Sequence, residues 1–347
     1  MPEAAAAPLA TAPLTTDVAV IGAGPVGLFA VFECGMLNMR CHVIDALDAA
    51  GGQCTALYPE KPIYDIPGYK RIDAAELVAK LMEQARPFHP VFHLGQQVTG
   101  LAGTADGGFR LTTTSGTAIV ARTVLIAAGV GAFGPNRPPL QGIEAYEGGA
   151  VRYLVTRRED FRDKRVVIAG GGDSAVDWAV SLAELARNVT VVHRRDKFRC
   201  APDSAARLKA LAETGRIELA IPYQLDALEG DGSALSAVVL QSLDGGTRRV
   251  EADFLLPFFG LAMTLGPIAA WGLNLDRNHI VVDPSTGATS TPGIHAAGDI
   301  AQYPLKLKLI LTGFAEVAQA AHAMHARVHP GEALHFEYST SKGVPAG

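Results

Sequence analysis

The residues Asp17-Val-Ala-Val-Ile-Gly-Ala-Gly-Pro-Val-Gly27 indicate the fold class most directly. Its first five residues are typical of a buried strand, and the spacing Gly22-x-Gly24-x-x-Gly27 follows directly. In this fingerprint the first glycine permits a sharp turn, the second lets a pyrophosphate approach the backbone, and the third allows close packing of helix on strand. The partial positive charge of the helix N-terminus favours the phosphates. We therefore predict a dinucleotide-binding βαβ unit at this point.

The residues that follow the fingerprint complete the unit. A helix is predicted from Pro25 to about residue 37, and a strand over residues 40–44 ends at Asp45. An acid about twenty residues after the glycines is placed to accept hydrogen bonds from a ribose diol. The predicted ligands of this first nucleotide are Gly22, Gly24, Pro25, Gly27 and Asp45.

A second fingerprint, Gly170-Gly-Gly-Asp-Ser-Ala175, follows the apolar run Arg165-Val-Val-Ile-Ala169. The next predicted strand ends at His193 with no acid, and three arginines come after it. A guanidinium group binds a 2′-phosphate, whereas a carboxylate would repel it. This half therefore predicts an NADP site, and the alternative is a solvated basic loop. The predicted ligands are Gly170, Gly172, Asp173, Ser174, Ala175, His193, Arg194, Arg195 and Arg199.

The segment Ala297-Gly-Asp299 predicts that the first nucleotide is FAD. It follows an apolar strand and precedes a helix predicted from about Gly313, so Asp299 is placed to bind a ribityl hydroxyl. The N-terminus of that helix would point at the flavin pyrimidine ring, where negative charge accumulates on reduction. The alternative for Asp299 is an ordinary cap before a helix.

The order of these units predicts an α/β fold with two Rossmann-like (three-layer ββα) dinucleotide-binding domains, the NADP domain being inserted into a discontinuous FAD domain. Residues 130–142 are rich in Gly and Pro, and a second linker is predicted near residues 259–260. The expected organisation is a disordered tail over 1–16, an FAD domain over 17–133, an NADP domain over 134–259, and the second part of the FAD domain with a C-terminal extension over 260–347.

Composition excludes several classes of function. The chain has 347 residues and a net charge of −5, which argues against bulk nucleic-acid binding. No apolar run approaches the length needed to span a membrane. The four cysteines show neither metal-ligand spacing nor a redox pair, which fits a reducing cytoplasm. His322, His325 and His329 share one predicted helix without an acid or thiol to complete a site, so we expect a solvated face and no metal.

The motifs together resemble the low-molecular-weight thioredoxin reductases, from about Thr16 onward. In that family a Cys-x-x-Cys precedes the second fingerprint, but here Leu154 and Arg157 stand roughly where the thiols would be. A denser resemblance is to the thioredoxin-reductase-like class of bacterial ferredoxin (flavodoxin)–NADP reductases. It is carried by Gly51-Gly-Gln-Cys-Thr-Ala-Leu-Tyr-Pro-Glu-Lys61, Tyr64-Asp-Ile-Pro-Gly68, Lys306-Leu-Lys-Leu-Ile-Leu-Thr-Gly-Phe-Ala-Glu316 and Tyr338-Ser-Thr340.

The resemblance implies further roles around FAD. It places Asp45 at the adenosine ribose, Asp299 at the ribityl chain, and a C-terminal aromatic over one flavin face, either Tyr338 or Phe336. The resemblance also implies a homodimer. The remaining implied contacts are Gln53 and Tyr58 at the flavin, with Tyr58 stacked on the other face, Val98 at adenine through its backbone, Phe133 at the isoalloxazine, and Thr340 at the ring edge.

The expected function is FAD-dependent electron transfer between NADPH and ferredoxin or flavodoxin, as in a ferredoxin–NADP(+) reductase. Hydride would pass to flavin N5 and electrons would leave singly, with no side-chain acid or base and no disulfide. The alternative is an NADPH diaphorase, or a reductase of quinones or of a partner disulfide protein. A flavoprotein that only senses NADP is a third possibility. Carriers of this kind are usually acidic, and the basic candidates for docking are Arg152, Arg157, Arg158, Arg162, Lys306 and Lys308.

Overall fold

The structure is a computed structural model that describes residues 12–332, Leu334 and Gly343, without the side chains of residues 132–135 and 261–263. The predictions for Tyr338, Phe336, Thr340, the side chain of Phe133 and tail residues 1–11 lie outside the described residues. No helix within the described ranges is both long and apolar enough to cross a membrane.

The chain divides into two compact units, with unit 2 (Phe133–Ala262) inserted into unit 1 (the residues up to Ala132 and from Met263 on). This arrangement and the parallel sheets described below confirm the predicted α/β fold class with an inserted domain. The chain passes from unit 1 to unit 2 after Ala132 and returns to unit 1 after Ala262. These positions are close to the boundaries at 133/134 and 259/260 that the sequence predicts.

The first part of unit 1 begins with the predicted βαβ unit and continues into antiparallel strands. Its elements are β1 (Leu14–Ile21), α1 (Pro25–Met36), β2 (Cys41–Ile44), α2 (Gln53–Ala56), β3 (Pro62–Ile63), β4 (Ile72–Asp73), α3 (Ala74–Ala85), β5 (Val91–His93), β6 (Val98–Gly103), β7 (Phe109–Thr113), β8 (Ala118–Ile126) and, at the crossing, β9 (Ala132–Pro135).

Unit 2 repeats the βαβ pattern and adds an antiparallel sheet. Its elements are β10 (Arg165–Ala169), α4 (Asp173–Leu182), β11 (Asn188–Val192), α5 (Pro202–Glu213), β12 (Ile217–Ala220), β13 (Tyr223–Gly230), β14 (Leu235–Ser242), β15 (Thr247–Glu251) and β16 (Phe254–Pro257). The parallel sheet has the order β12-β11-β10-β16, and β13-β14-β15 form the antiparallel sheet.

The chain then returns to unit 1 and ends in a long helix. The elements are β17 (Leu261–Thr264), β18 (Leu275–Asp276), β19 (His279–Val281), β20 (Ile294–Ala296), β21 (Ala301–Gln302) and α6 (Ile310–Val328). The main sheet of unit 1 has the order β5-β2-β1-β8-β7-β6, and β20 also pairs with β8. The central strand β1 lies parallel to both β2 and β8. Its Val18, Ala19 and Val20 are fully buried because helices and strands cover both faces of the sheet.

Two local predictions are wrong. Residues 14–16, expected in a disordered tail, form the start of β1, since Leu14 pairs with Ile119 and the Thr16 hydroxyl donates to the carbonyl of Arg40 at 2.8 Å. Helix α6 begins at Ile310 and not near Gly313. Gly313 lies inside the first turn because a small residue is needed there against α1, as the packing below shows.

Candidate dinucleotide-binding sites

Three strands of unit 1 end at the same edge of the main sheet. Ile21 of β1 and Ala296 of β20 are both in register with Ile126 of β8. The strands are parallel, so the loops that follow them lie side by side. These loops carry the glycine fingerprint, the turn around Gly129, and the segment with Asp299. The edge therefore gathers the segments expected to bind FAD.

The fingerprint glycines of unit 1 have different surroundings. Gly22 has φ +110°, a conformation that side chains rarely adopt, and a Cβ there would overlap the carbonyl of Ala127. A Cβ on Gly27 would overlap the carbonyl of Gly22, because α1 packs closely on the turn. A Cβ on Gly24 would meet only the Gly52 Cα, at 4.0 Å. Gly24 thus leaves an open approach to the backbone.

The N-terminus of α1 also suits a pyrophosphate. Gly24 is its N-cap, Pro25 is its first residue, and no described side chain caps it or places an acid in its first turn. The amides of the first turn and the helix dipole therefore face the open side of Gly24 without competition from a carboxylate. These features fit a bound dinucleotide phosphate.

Asp45 connects the fingerprint to the next strand. Its carboxylate accepts hydrogen bonds from the backbone N–H of Ala23 at 2.6 Å and of Leu47 at 2.8 Å. Burial raises the pKa of Asp45, and these two N–H groups oppose the rise. Each oxygen keeps a second lone pair for a ribose hydroxyl. The backbone N–H of Gln96 donates to the Asp45 carbonyl, which brings the segment leading to the buried Val98 alongside.

The Gly-Gly-Gln loop folds over the fingerprint. The Gly51 N–H donates to the Ala23 carbonyl at 2.8 Å, and Gly52 approaches Gly24. The Gln53 amide nitrogen lies 3.6 Å from where a Cβ on Gly129 would stand. Gln53 is therefore beside the turn after β8, at the edge where the three strands end.

Tyr58 lies in a partly buried cluster. Its hydroxyl is hydrogen-bonded with the Cys54 thiol, and Lys61 Nζ lies 5.7 Å from its ring centroid. Burial raises the pKa of Tyr58 strongly and that of Cys54 to about 11, so both groups stay protonated at neutral pH. Asp299 is close enough to affect both groups electrostatically. The fold thus brings Tyr58 and Asp299 together from distant parts of the chain.

Asp299 lies in a short 3₁₀ turn, Gly298–Ile300, between β20 and β21. Burial raises the pKa of Asp299. The positive charges of Lys308 and Lys306 oppose this rise, and the negative charge of Glu316 adds to it. The loop is packed against two helix N-termini, because a Cβ on Gly313 would lie 2.5 Å from Val26 Cγ2 and 3.3 Å from the Gly298 Cα.

Unit 2 repeats the fingerprint geometry. A Cβ on Gly170 would lie 2.6 Å from the Phe258 carbonyl and 2.9 Å from Ala175 Cβ, so neither position tolerates a larger residue. A Cβ on Gly172 would meet only the Arg199 carbonyl, at 3.9 Å. Helix α4 begins at Asp173, and Ser174 is exposed in its first turn.

The arginine loop of unit 2 is held against its fingerprint. The Arg199 N–H donates to the Gly171 carbonyl at 2.6 Å, and the Asp173 carboxylate accepts the Ala201 N–H at 3.0 Å. Asp173 therefore anchors this loop. The ring of His193 packs on Gly171, where a Cβ would overlap it, and stacks on Phe198 with centroids 5.2 Å apart.

The arginine side chains of this loop are available to bind a ligand. Burial and then the three arginines, Arg194, Arg199 and Arg195, lower the pKa of His193, which places all four side chains in one cluster. The arginines are exposed, and within the described part of the chain no carboxylate forms an ion pair with them. Arg165 of the same unit, by contrast, is held by Asp253 at 2.6 Å at the opposite end of β10.

The docking role expected of Lys306 is wrong. Its side chain is 2 % exposed and forms an ion pair with Glu316, so it cannot meet a partner. Arg152, Arg158 and Arg162 are each within 2.8 Å of a carboxylate. Arg157, whose side chain is 75 % exposed, lies 3.9 Å from Asp160, and Lys308 Nζ lies 2.7 Å from His279 Nε2.

The histidines of α6 also differ from expectation. His325 is buried, and its ring lies against that of His329 with centroids 4.9 Å apart, so this is not a solvated face. In residues 12–332 no three His, Cys, Asp or Glu side chains are grouped as a metal site.

Two residues near the proposed flavin were missed from the sequence. Cys54 contacts Tyr58, and Glu316 is buried beneath the Asp299 loop. Glu316 could have been singled out from the sequence, because it is the one acid in the apolar helix α6. Cys54 gave none, since a single cysteine in a loop has many explanations.

The fold and the two loops define a class of two-domain flavin and nicotinamide oxidoreductases. Residues 16–326 match the family model of the pyridine nucleotide-disulphide oxidoreductases, and the chain belongs to that family. Over 332 residues the chain is 64% identical to a ferredoxin–NADP reductase of Paramagnetospirillum magneticum, covering 96% of this chain and 98% of that protein. A ferredoxin–NADP reductase of Rhodospirillum rubrum is 62% identical over 336 residues, with 96% and 97% covered.

The chain therefore also belongs to the family of these ferredoxin–NADP reductases, which confirms the resemblance found in the sequence. The crystal structure of the thioredoxin reductase of T. acidophilum superimposes with a TM-score of 0.78 at 26% identity, covering 90% of this chain and 98% of that one. The shared fold thus extends to enzymes whose names indicate a disulfide substrate.

Proposed function

We propose that this protein is an FAD-dependent ferredoxin–NADP(+) reductase. The observation that carries the proposal is the difference between the two fingerprint units. In the first, Asp45 follows the second strand; in the second, a cluster of exposed arginines follows it, and no carboxylate among the described residues forms an ion pair with them. The first suits the unphosphorylated ribose of FAD, and the second suits the 2′-phosphate of NADPH. When bound, FAD accepts a hydride from NADPH and releases electrons singly to a carrier protein.

In unit 1 the fingerprint loop binds the FAD pyrophosphate through Gly22, Gly24 and Gly27 and through the N-terminus of α1 at Pro25. Asp45 holds the adenosine ribose beside the backbone of Val98. The residues proposed at the flavin end are Gln53, Tyr58, Phe133, Asp299, Tyr338 and Thr340. The gathering of Tyr58, Gln53 and Asp299 at one sheet edge supports this assignment.

In unit 2 the open backbone at Gly172 receives the NADP pyrophosphate at the N-terminus of α4, with Ser174 in the first turn. Arg194, Arg195 and Arg199 bind the 2′-phosphate, and the ring of His193 packs on Gly171 beside them. Gly170 and Ala175 make the tight turn, and Asp173 holds the arginine loop by accepting the Ala201 N–H.

Electrons leave this protein without passing through a thiol pair. The sequence contains no Cys-x-x-Cys. The four cysteines are free, and Cys34, Cys41 and Cys54 are buried. A carrier that accepts single electrons therefore suits the site better than a disulfide substrate.

Three finer points belong to the same proposal. Flavodoxin is a second carrier, since it accepts electrons singly like ferredoxin. The protein is a homodimer, as the resemblance of its C-terminal extension implies. It acts in the cytoplasm, where free thiols such as those found here stay reduced.

An anaerobic titration tests the function. NADPH should bleach the yellow protein, and oxidised ferredoxin or flavodoxin should then restore its colour. Parallel reactions with thioredoxin, a quinone and a carrier-free control separate this activity from that of a diaphorase or a disulfide reductase. Reoxidation by thioredoxin as fast as by ferredoxin would contradict the proposal.

A further inference from the structure

A buried ion pair lies directly beneath the loop that carries Asp299. The Glu316 carboxylate accepts hydrogen bonds from the Gly298 N–H at 2.7 Å and the Tyr303 hydroxyl at 2.6 Å. It also pairs with Lys306, whose Nζ lies 5.4 Å from the Tyr303 ring centroid. The side chains of Lys306 and Glu316 are 2 % and 7 % exposed. Bulk solvent therefore does not reach the pair.

The cost of burying this pair makes it unlike the exposed ion pairs of the chain. Removing two charges from water is offset only by good geometry and additional hydrogen bonds, and apolar replacements often give equal stability. Glu316 has both additional bonds, to a loop amide and to a phenol. Burial of the Tyr303 phenol, and then its hydrogen bond to the Glu316 carboxylate, raise the pKa of Tyr303 to about 12. Stability alone does not explain the pair.

The pair joins the two elements that would contact a flavin. Glu316 is in α6, and its bond to Gly298 fixes the residue next to Asp299. Gly313 is in the first turn of α6, and a Cβ on this residue would lie 3.3 Å from the Gly298 Cα. The charges of Lys306 and Glu316 both reach Asp299, with opposite effects on its ionisation. The pair is thus placed to act on Asp299 and on the N-terminus of α6 together.

We propose that Glu316 and Lys306 are positioning residues that hold Asp299 and the N-terminus of α6 at the flavin and, by balancing each other's charge, set its reduction potential. This inference rests on the proposed FAD site but not on the identity of the carrier. Reduction adds negative charge to the flavin, so an unbalanced cation nearby favours the reduced form and an unbalanced anion favours the oxidised form.

The test compares the holoenzyme with Glu316→Gln, Lys306→Met and the double variant. For each, the flavin midpoint potential is measured by spectroelectrochemistry, and FAD affinity is measured by reconstituting the apoprotein. Glu76→Gln is the matched control, because it removes one carboxylate from an exposed pair with Lys80 in α3. None of these measurements requires ferredoxin, so failure of the carrier assay and failure of this inference are distinguishable.

We expect Glu316→Gln to raise the potential and Lys306→Met to lower it. The expected size is a roughly tenfold change in the preference for reduced over oxidised FAD, or about 30 mV for a two-electron couple. The double variant should return near the wild-type potential, and Glu76→Gln should not shift it. Shifts of the same sign in both single variants, or loss of FAD affinity without a shift, would overturn the inference. If Glu316→Gln does not fold, Lys306→Met and the double variant still decide the sign.

Discussion

At the scale of single residues, the three fingerprint glycines of unit 1 have separable roles. Gly22 and Gly27 are required by the turn itself, since a Cβ at either position would overlap a carbonyl. Gly24 has φ −71° and an open side, so the apoprotein tolerates a methyl group there. The spacing of the fingerprint predicted this division from the sequence, because each position of the motif has its own geometric role.

Gly24→Ala should fold normally but bind FAD at least about tenfold more weakly, a loss of about 1.4 kcal/mol, because the methyl group occupies the approach of the pyrophosphate. Reconstitution of the apoprotein with FAD measures this. Gly103→Ala, with nothing within 4 Å of its would-be Cβ, is the control and should bind as the wild type does. An unchanged affinity in Gly24→Ala would show that the phosphates lie elsewhere.

Arg195→Gln should raise the KM for NADPH by roughly tenfold or more, since a hydrogen bond to a charged group contributes about 1.5–3 kcal/mol. The KM for NADH should not change, because NADH lacks the 2′-phosphate. Steady-state reduction of a dye by either nucleotide provides the measurement. Arg162→Gln, which removes an exposed cation paired with Glu159 in the same unit, serves as control. Equal effects on both nucleotides would place Arg195 outside the phosphate site.

At the scale of elements, α6 shows where sequence reasoning reaches its limit. A strand ending in Asp299 and a following helix were predictable, because an apolar run and an acid mark them. The start of α6 was misplaced because a glycine usually marks a boundary, whereas Gly313 is inside the helix to accommodate Val26. In the segment before α6 an apolar residue is exposed and a charged side chain is buried, the reverse of what sequence patterns assume. Leu305 is 97% exposed, whereas the side chain of Lys306 is buried. Only the partner ten residues later, Glu316, explains this burial.

The contact between α1 and α6 can be tested by a substitution at Gly313 and a second, compensating substitution at Val26. Gly313→Ala should lower the free energy of unfolding by about 1–3 kcal/mol, because its Cβ would lie 2.5 Å from Val26 Cγ2. Adding Val26→Ala removes the clashing methyl groups and should recover most of this loss, helped by the higher helix propensity of alanine. Thermal unfolding of the four proteins measures the coupling. Additive effects of the two substitutions would argue against this packing.

The strand β20 contributes a pH dependence of stability through His295. Burial lowers the pKa of His295, whose Nδ1 lies 3.0 Å from the Thr286 carbonyl. The unfolded chain takes up this proton near pH 6.5, above the folded pKa, so its contribution to stability is present above about pH 6.5 and is lost on acidification. His295→Gln should therefore lose less stability than the wild type between about pH 7.5 and 5.5. Identical slopes in chemical denaturation would contradict this.

At the scale of the whole molecule, the duplicated βαβ unit determines most of the fold, and the sequence predicted both copies. The partners of charged side chains were less accessible, because they depend on contacts between distant segments. Arg152 illustrates this: from the sequence it was a docking cation, but it bonds to Asp160 and lies over the rings of Phe161 and Phe254. The backbone geometry of a motif could therefore be predicted from the sequence, whereas the partners of surface charges could not.

The absence of a thiol relay predicts that electron transfer survives removal of all four cysteines. The variant with Cys34, Cys41 and Cys54 replaced by Ala and Cys200 by Ser should still bleach with NADPH and reduce ferredoxin at a rate near that of the wild type. Its stability should fall, because three of these side chains are buried. Stopped-flow absorbance of the flavin follows both half-reactions, with thioredoxin as a control acceptor that neither protein should reduce efficiently. If the combined variant does not fold, the four single variants provide the same comparison. Loss of carrier reduction with unimpaired bleaching by NADPH would mean that a cysteine carries electrons after all, because only the second half-reaction would then depend on sulfur.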